Sequence, residues 1–191
     1  LTSEQGNADK LAEFVAEVEA LGMRMLGPDV NQSDTDFTPV AKDNAIRFGL
    51  GAIKGVGELA ARAIVAEREK AGPFKDFGDF VGRMGEADLN ARTLDCLARA
   101  GAFDFTGENR RHLVDSIESV RRHFSAERKE RERGQGNLFD LLGAEDAGAA
   151  RPSDLILRKS EPMPKLEMLN NEKQLLGFYL SGHPQIGRAH V

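Results

Sequence analysis

Apolar positions along the chain fall into short helical and strand-like stretches punctuated by glycine and proline. Over residues 7–21, Leu11, Phe14, Val18 and Leu21 recur at helical spacing while Glu13, Glu17 and Glu19 take other faces. That pattern predicts an amphipathic helix packing one side, stopped by Gly22. Met25 to Asn31 reads as an extended turn, because Pro28 forbids helix continuation. Residues 37–40 and 45–50 are short strand candidates around a Lys42-Asp43-Asn44 turn. From residue 51 the pattern is helical. A helix over 59–70 ends at Gly72-Pro73, and Phe74, Phe77, Phe80 and Val81 repeat at three to four residues. At that spacing these rings fit a hydrophobic core better than a base-stacking platform. Asn90 caps the next helix, with Leu94, Leu97 and Ala98 facing inward. A second glycine-bounded turn over 101–107 leads into a long helix over 108–133, with Leu113, Ile117, Val120 and Phe124 along one side. Residues 143–153, rich in Ala, Gly and Asp, predict a flexible linker. Pro162 and Pro164 precede a last helix over 166–179. The predicted class is mainly α: two helix–turn–helix units joined by a linker helix, preceded by a small α/β piece.

The densest chemical signal is Lys54-Gly55-Val56-Gly57-Glu58. Glycine takes positive φ and lets another backbone approach, so Gly55 and Gly57 permit a hairpin too tight for side chains. The amides of Gly55, Val56, Gly57 and Glu58 then lie near a helix N-terminus without intrahelical partners, an arrangement that attracts a phosphate oxygen. Lys54 adds positive charge, Ile53 and Val56 anchor the turn, and Arg62 follows one helical turn later. This is the build of a helix-hairpin-helix, which grips nucleic-acid backbone without reading bases. The competing reading is a tight αα-turn with no ligand. Gly49-x-Gly51 is not continued as a dinucleotide fingerprint, and no Gly-Lys-Ser/Thr closes a P-loop.

Composition narrows the picture. The 191 residues suffice for one good core or two small ones, and no apolar run approaches the roughly 20 residues a bilayer span requires. The N-terminus lacks the basic start and apolar stretch of a signal peptide. A single cysteine, Cys96, excludes an internal disulfide and reads as a small buried hydrophobe in a reducing cytoplasm. His112, His123, His183 and His190 have no ligand spacing, and Asp34-Thr35-Asp36 lacks a third acid nearby, so no metal site is expected. The net charge of −5 argues against generic charge-driven binding to nucleic acid. It is unevenly spread: residues 1–40 carry two basic residues against eight acids, residues 90–133 ten against eight. The second region offers either a phosphate-facing surface or ordinary solvated helix faces.

The segments FGLGAIKGVGE, GPFKDFGDF, LNARTLDCLARAGAFD, GQGNLF and EKQLLGFYLSGHP occur here in the order found in the bacterial replicative C-family DNA polymerases, the DNA polymerase III alpha-subunit family. The chain resembles that family from its start to about Pro184. The resemblance implies that residues 1–41 close the fingers domain and that 42–125 form a tandem helix-hairpin-helix region. It makes 126–165 a linker with a clamp-binding motif, 166–185 a final helix with its SGHP segment, and 186–191 a non-native tail, since IGRAHV departs from the family pattern. It further implies that Lys54, Gly55, Val56, Gly57, Glu58 and Arg62 hold duplex DNA. Gln135, Leu138 and Phe139 match the family's sliding-clamp motif, an extended peptide that lays an apolar pair into a cleft. The expected partners are double-stranded DNA, the sliding clamp (beta subunit) and other replicase subunits, in the cytoplasm and without a membrane. The family's catalytic palm lies upstream of the matching region. No catalytic residue or cofactor is therefore expected in this chain, magnesium serving the parent polymerase. Two alternatives are the hairpin module of a repair enzyme and an error-prone polymerase relative. A glycosylase would need a catalytic Asp or Lys just after the hairpin, where Glu58-Leu59-Ala60-Ala61 stands.

Overall fold

Side chains that alternate or recur in phase have to be covered by something, and in this chain one core covers nearly all of them. The computed structural model describes residues 8–85, 89–132 and 157–182. Within them the elements are α1 (Ala8–Ala20), β1 (Arg24–Leu26), β2 (Thr38–Val40), β3 (Ala45–Arg47), α2 (Glu58–Ala71), α3 (Phe77–Arg83), α4 (Ala91–Ala100), α5 (Arg110–Glu132) and α6 (Lys165–Leu176). The class is mainly α with a small α/β piece, as the pattern predicts.

The strands form one sheet in the order β1-β3-β2. β2 and β3 are antiparallel, Pro39 opposite Ile46, while β1 runs parallel to β3 with Met25 opposite Ile46. The β2–β3 connection is a single 3-10 turn over Ala41–Asp43, after which Asn44 takes left-handed φ of 47°, a conformation asparagine tolerates. Its side-chain amide donates to the Gly22 carbonyl at 2.9 Å, tying the turn to the end of α1. The sheet therefore straddles residue 41, and the chain on either side of that point packs as one body.

α1 buries Leu11, Val15 and Val18. Leu21, expected on that face, lies beyond the helix end and is 73% exposed. β1 falls where an extended turn was expected. A three-residue strand whose partner is 21 positions away, Arg24 to Ala45, leaves no local periodicity to detect.

The phenylalanines make the centre of the core. Phe77 and Phe80 of α3 each meet Phe103 edge-on, at 5.0 and 4.9 Å, and Phe74 meets Phe80 at 4.8 Å. Such pairs contribute about 0.5–1.5 kcal/mol each beyond their buried area. α3 and α4 start on proper caps, Asp76 accepting from the Asp79 amide and Asn90 from the Thr93 amide. α5 buries Leu113, Ile117 and Val120 and continues to Glu132. Residues 157–164 lie back along it: the Arg158 amide donates to Ser116 Oγ and His112 Nε2 to the Ser160 carbonyl, both at 2.6 Å. α6 then packs on α4 and ends at Gly177, whose φ of 88° stops it three residues short of the expected Tyr179.

Candidate nucleic-acid interface

The stretch from Phe48 to Arg62 is fixed from below. Phe48 is fully buried against Phe37 and Phe178, with ring centroids at 4.8 and 5.9 Å, and a 3-10 turn over Leu50–Ala52 follows. A side chain at Gly49 would strike the backbone of Thr35 and Asp36, one at Gly51 would press on the Thr35 carbonyl, and the amides of Leu50 and Gly51 donate to the carbonyls of Asp34 and Thr35 at 2.8 and 2.9 Å. These two glycines thus serve a close main-chain approach, and the Asp34-Thr35-Asp36 loop is the strut beneath the hairpin. Ile53 and Val56 are both buried as anchors.

The two glycines of the turn differ. Gly55 has φ of +90°, and a Cβ there would come within 2.6 Å of Cys96 Sγ. Both torsion and space demand glycine. Gly57 is an extended N-cap residue, φ −72° and ψ 155°, and a Cβ there would meet nothing within 4 Å. The expectation that both positions are too tight for a side chain holds only for Gly55. Gly57 instead faces open solvent.

The amides also divide. The Val56 N–H closes the turn by donating to the Ile53 carbonyl at 2.9 Å, so Val56 acts as an anchor and does not offer its amide. The Lys54 amide donates to the Leu175 carbonyl of α6 at 2.9 Å. Those of Gly55, Gly57 and Glu58 make no hydrogen bond with any described residue, and all three residues are exposed. α2 also lacks the side-chain cap that closes α3 and α4. Its first-turn donors stay available, and the helix dipole adds partial positive charge there. The Arg62 guanidinium reaches back to the Glu58 carboxylate at 2.5 Å, an exposed i,i+4 pair. Lys54 is exposed and its ammonium has no ion pair among the described residues.

The second glycine-bounded turn is built the opposite way. Ala102 and Phe103 are fully buried, and the amides of Gly101, Ala102 and Asp104 all donate to carbonyls within the turn or α4. The space beside Gly101, φ +87°, is filled by the Arg110 guanidinium. Arg110 is 5% exposed and bonds Asp104 at 2.9 and 2.6 Å, the Arg99 carbonyl at 3.2 Å and buried Glu172 at 3.5 Å. These carboxylates hold its charge firmly, against the cost of burial. This turn packs inward, and its glycine amides at Gly101 and Gly107 are both bonded, to the carbonyls of Ala98 and Asp104.

Several arginines of the basic region are likewise spent inside the protein. Arg99 holds Asp95, Arg111 holds Glu167, and Arg128 donates to the carbonyls of Gly82 and Met84. Arg92 and Arg122 remain exposed with no ion pair among the described residues. The charge pattern is therefore neither a continuous phosphate-facing surface nor simply solvated faces.

Gln135, Leu138 and Phe139 lie outside the described residues. The sequence reading missed the part of α6, whose last-turn carbonyl steadies the hairpin. A main-chain bond between residues 54 and 175 carries no side-chain signal. Among the described residues no three metal-ligating side chains come together, and no helix is long and apolar enough to cross a membrane.

The family described as "Helix-hairpin-helix motif" matches residues 22–113, a range holding both turns and the sheet. Among curated proteins the chain is 44% identical over 184 residues to the DNA polymerase III subunit alpha of Thermus aquaticus, covering 96% of this chain and 14% of that protein. It is 40% identical over 185 residues to the same subunit of Deinococcus radiodurans, covering 96% and 13%. Against that of Neisseria meningitidis serogroup B it is 43% identical over 185 residues, covering 96% and 15%. The chain thus spans about one-seventh of the length of the relatives it matches.

Proposed function

We propose, for a chain that belongs to the bacterial DNA polymerase III alpha-subunit family as a segment of it, that the Lys54–Glu58 hairpin holds the phosphate backbone of duplex DNA without reading sequence. The observation that carries this reading is the exposed, unbonded set of amides at Gly55, Gly57 and Glu58, on a helix start left uncapped. Donors of this kind suit a phosphate oxygen, and Lys54 supplies a mobile positive charge beside them. Arg62 contributes once a phosphate competes for it with Glu58. The full-length protein would be a DNA-directed DNA polymerase, adding deoxynucleotides with magnesium at a palm domain. In the cytoplasmic replicase, among its other subunits, this segment would steady the duplex and attach to the sliding clamp through Gln135, Leu138 and Phe139.

The test is fluorescence anisotropy of two unrelated duplexes with the full chain, titrated between about 50 and 200 mM salt. Equal affinity for both is expected, with a shallow logarithmic salt slope of about 0.9 per phosphate held. Affinity that ignores salt rejects the phosphate grip. For the clamp arm, capture by immobilised beta subunit should be lost in Leu138→Ala/Phe139→Ala, and equal capture of both forms rejects that motif.

A further inference from the structure

Beside the hairpin lies an open cleft of about 340 Å³ whose walls come from three regions remote in sequence. Lys54 and Gly55 of the turn form one side, Arg92, Asp95 and Arg99 of α4 another, and Gln174 of α6 the third. The one carboxylate among these six is already matched, since Arg99 Nε donates to both Asp95 oxygens at 2.8 and 2.9 Å. Arg99 also faces Glu167 at 3.7 Å. The side chains of Lys54, Arg92 and Gln174 are exposed and make no ion pair or hydrogen bond with any described residue. Two cations with no counter-charge among the described residues therefore converge on one cleft, in a chain whose net charge is −5. Gly55 belongs to both the cleft and the turn, so an anion entering the first is contiguous with one held at the second.

We infer that this cleft takes the phosphodiester adjoining the one held by the hairpin amides, which makes α4 and α6 part of the DNA-binding surface. The ligand is drawn from the hairpin reading above and rests on it. Arg92 offers a planar fork that matches two phosphate oxygens, Lys54 a point charge between cleft and turn, and Gln174 a neutral amide donor from α6. The cleft supplies charge and the turn supplies oriented dipoles, so the two contribute separately to affinity.

The experiment measures anisotropy of a fluorescein-labelled duplex against the full chain and four variants: Arg92→Ala, Arg92→Lys, Gln174→Glu and Gly57→Asn. Arg92→Ala should lower the salt slope by about 0.9, the loss of one phosphate contact. Arg92→Lys should keep the slope while weakening binding slightly, because the charge remains and the fork is gone. Gln174→Glu should weaken binding roughly threefold to tenfold by placing a carboxylate against the phosphate. If Arg92→Ala and Gln174→Glu leave slope and affinity unchanged while Gly57→Asn weakens binding, the cleft is overturned and the hairpin stands. If Gly57→Asn is silent and Arg92→Ala lowers the slope, the hairpin reading fails and the cleft is upheld as a phosphate site.

Discussion

Gly57 is the position where stability and DNA binding should part company. It is the N-cap of α2, already extended, and a side chain there meets no atom within 4 Å. Asparagine is among the best N-cap residues, and its side-chain oxygen accepts from an amide two or three positions on. Gly57→Asn should therefore leave the fold intact and raise stability by a few tenths of a kcal/mol, the usual difference between glycine and asparagine caps. That same oxygen occupies the space above the first turn of α2, where a phosphate would lie. Hydrogen bonds to a charged group are worth about 1.5–3 kcal/mol, and every 1.4 kcal/mol is tenfold, so duplex affinity should fall by roughly tenfold to a hundredfold. Gly57→Ala separates the causes: it adds bulk without a cap and should cost about 0.5–1 kcal/mol of stability, since alanine is a poor cap. Gly57→Asp adds charge to the cap and should bind worst of the three. Thermal melts by circular dichroism give stability, and anisotropy titrations give affinity. A Gly57→Asn variant that melts as high as the parent and binds duplex equally well would refute the claim that open amides hold the phosphate.

Other substitutions probe the supports. Gly55→Ala should cost about 1–2 kcal/mol for its positive φ, plus the overlap with Cys96 Sγ. The double variant Gly55→Ala/Cys96→Ala should recover only the overlap part, read by a double-mutant cycle in urea. Glu172→Ala removes the acceptor of the Leu180 and Ser181 amides and one partner of Arg110, and should destabilise by about 3 kcal/mol in chemical denaturation. Burial, and then Asp95, push the Cys96 thiol above its ordinary range, so the folded chain keeps it protonated. Iodoacetamide at mildly alkaline pH should label it far more slowly when folded than in urea. Its contribution to stability is present below the unfolded thiol's pKa and lost as pH rises through the folded value.

The helices were legible because periodicity and punctuation agree: Asn90 before Leu94 and Leu97, and Gly72-Pro73 after α2, fix boundaries by local chemistry. The β2–β3 pair was legible for the same reason, its turn residues sitting between two apolar runs. What escaped was non-local. β1 is extended only because β3 lies beside it, and Leu21 is exposed because α1 ends one residue earlier. In the candidate site the sequence singled out one turn but could not sort its members. Gly55 and Gly57 look alike on paper, and only the approach of Cys96 makes one a packing necessity and the other a window. The same holds for the arginines, where Arg110 is sealed under Gly101 and Arg92 is exposed with no ion pair among the described residues.

The Lys54–Leu175 main-chain bond sets a limit on dissection. A piece trimmed just after the matched motif range, at residue 113, or after α5, would keep every residue of the turn yet remove the carbonyl that orients it. Its hairpin would then carry the correct sequence with a slack hinge. Weak DNA binding by so short a fragment would report on where the cut was made, and a test of the proposed grip needs a chain that runs at least through Gly177.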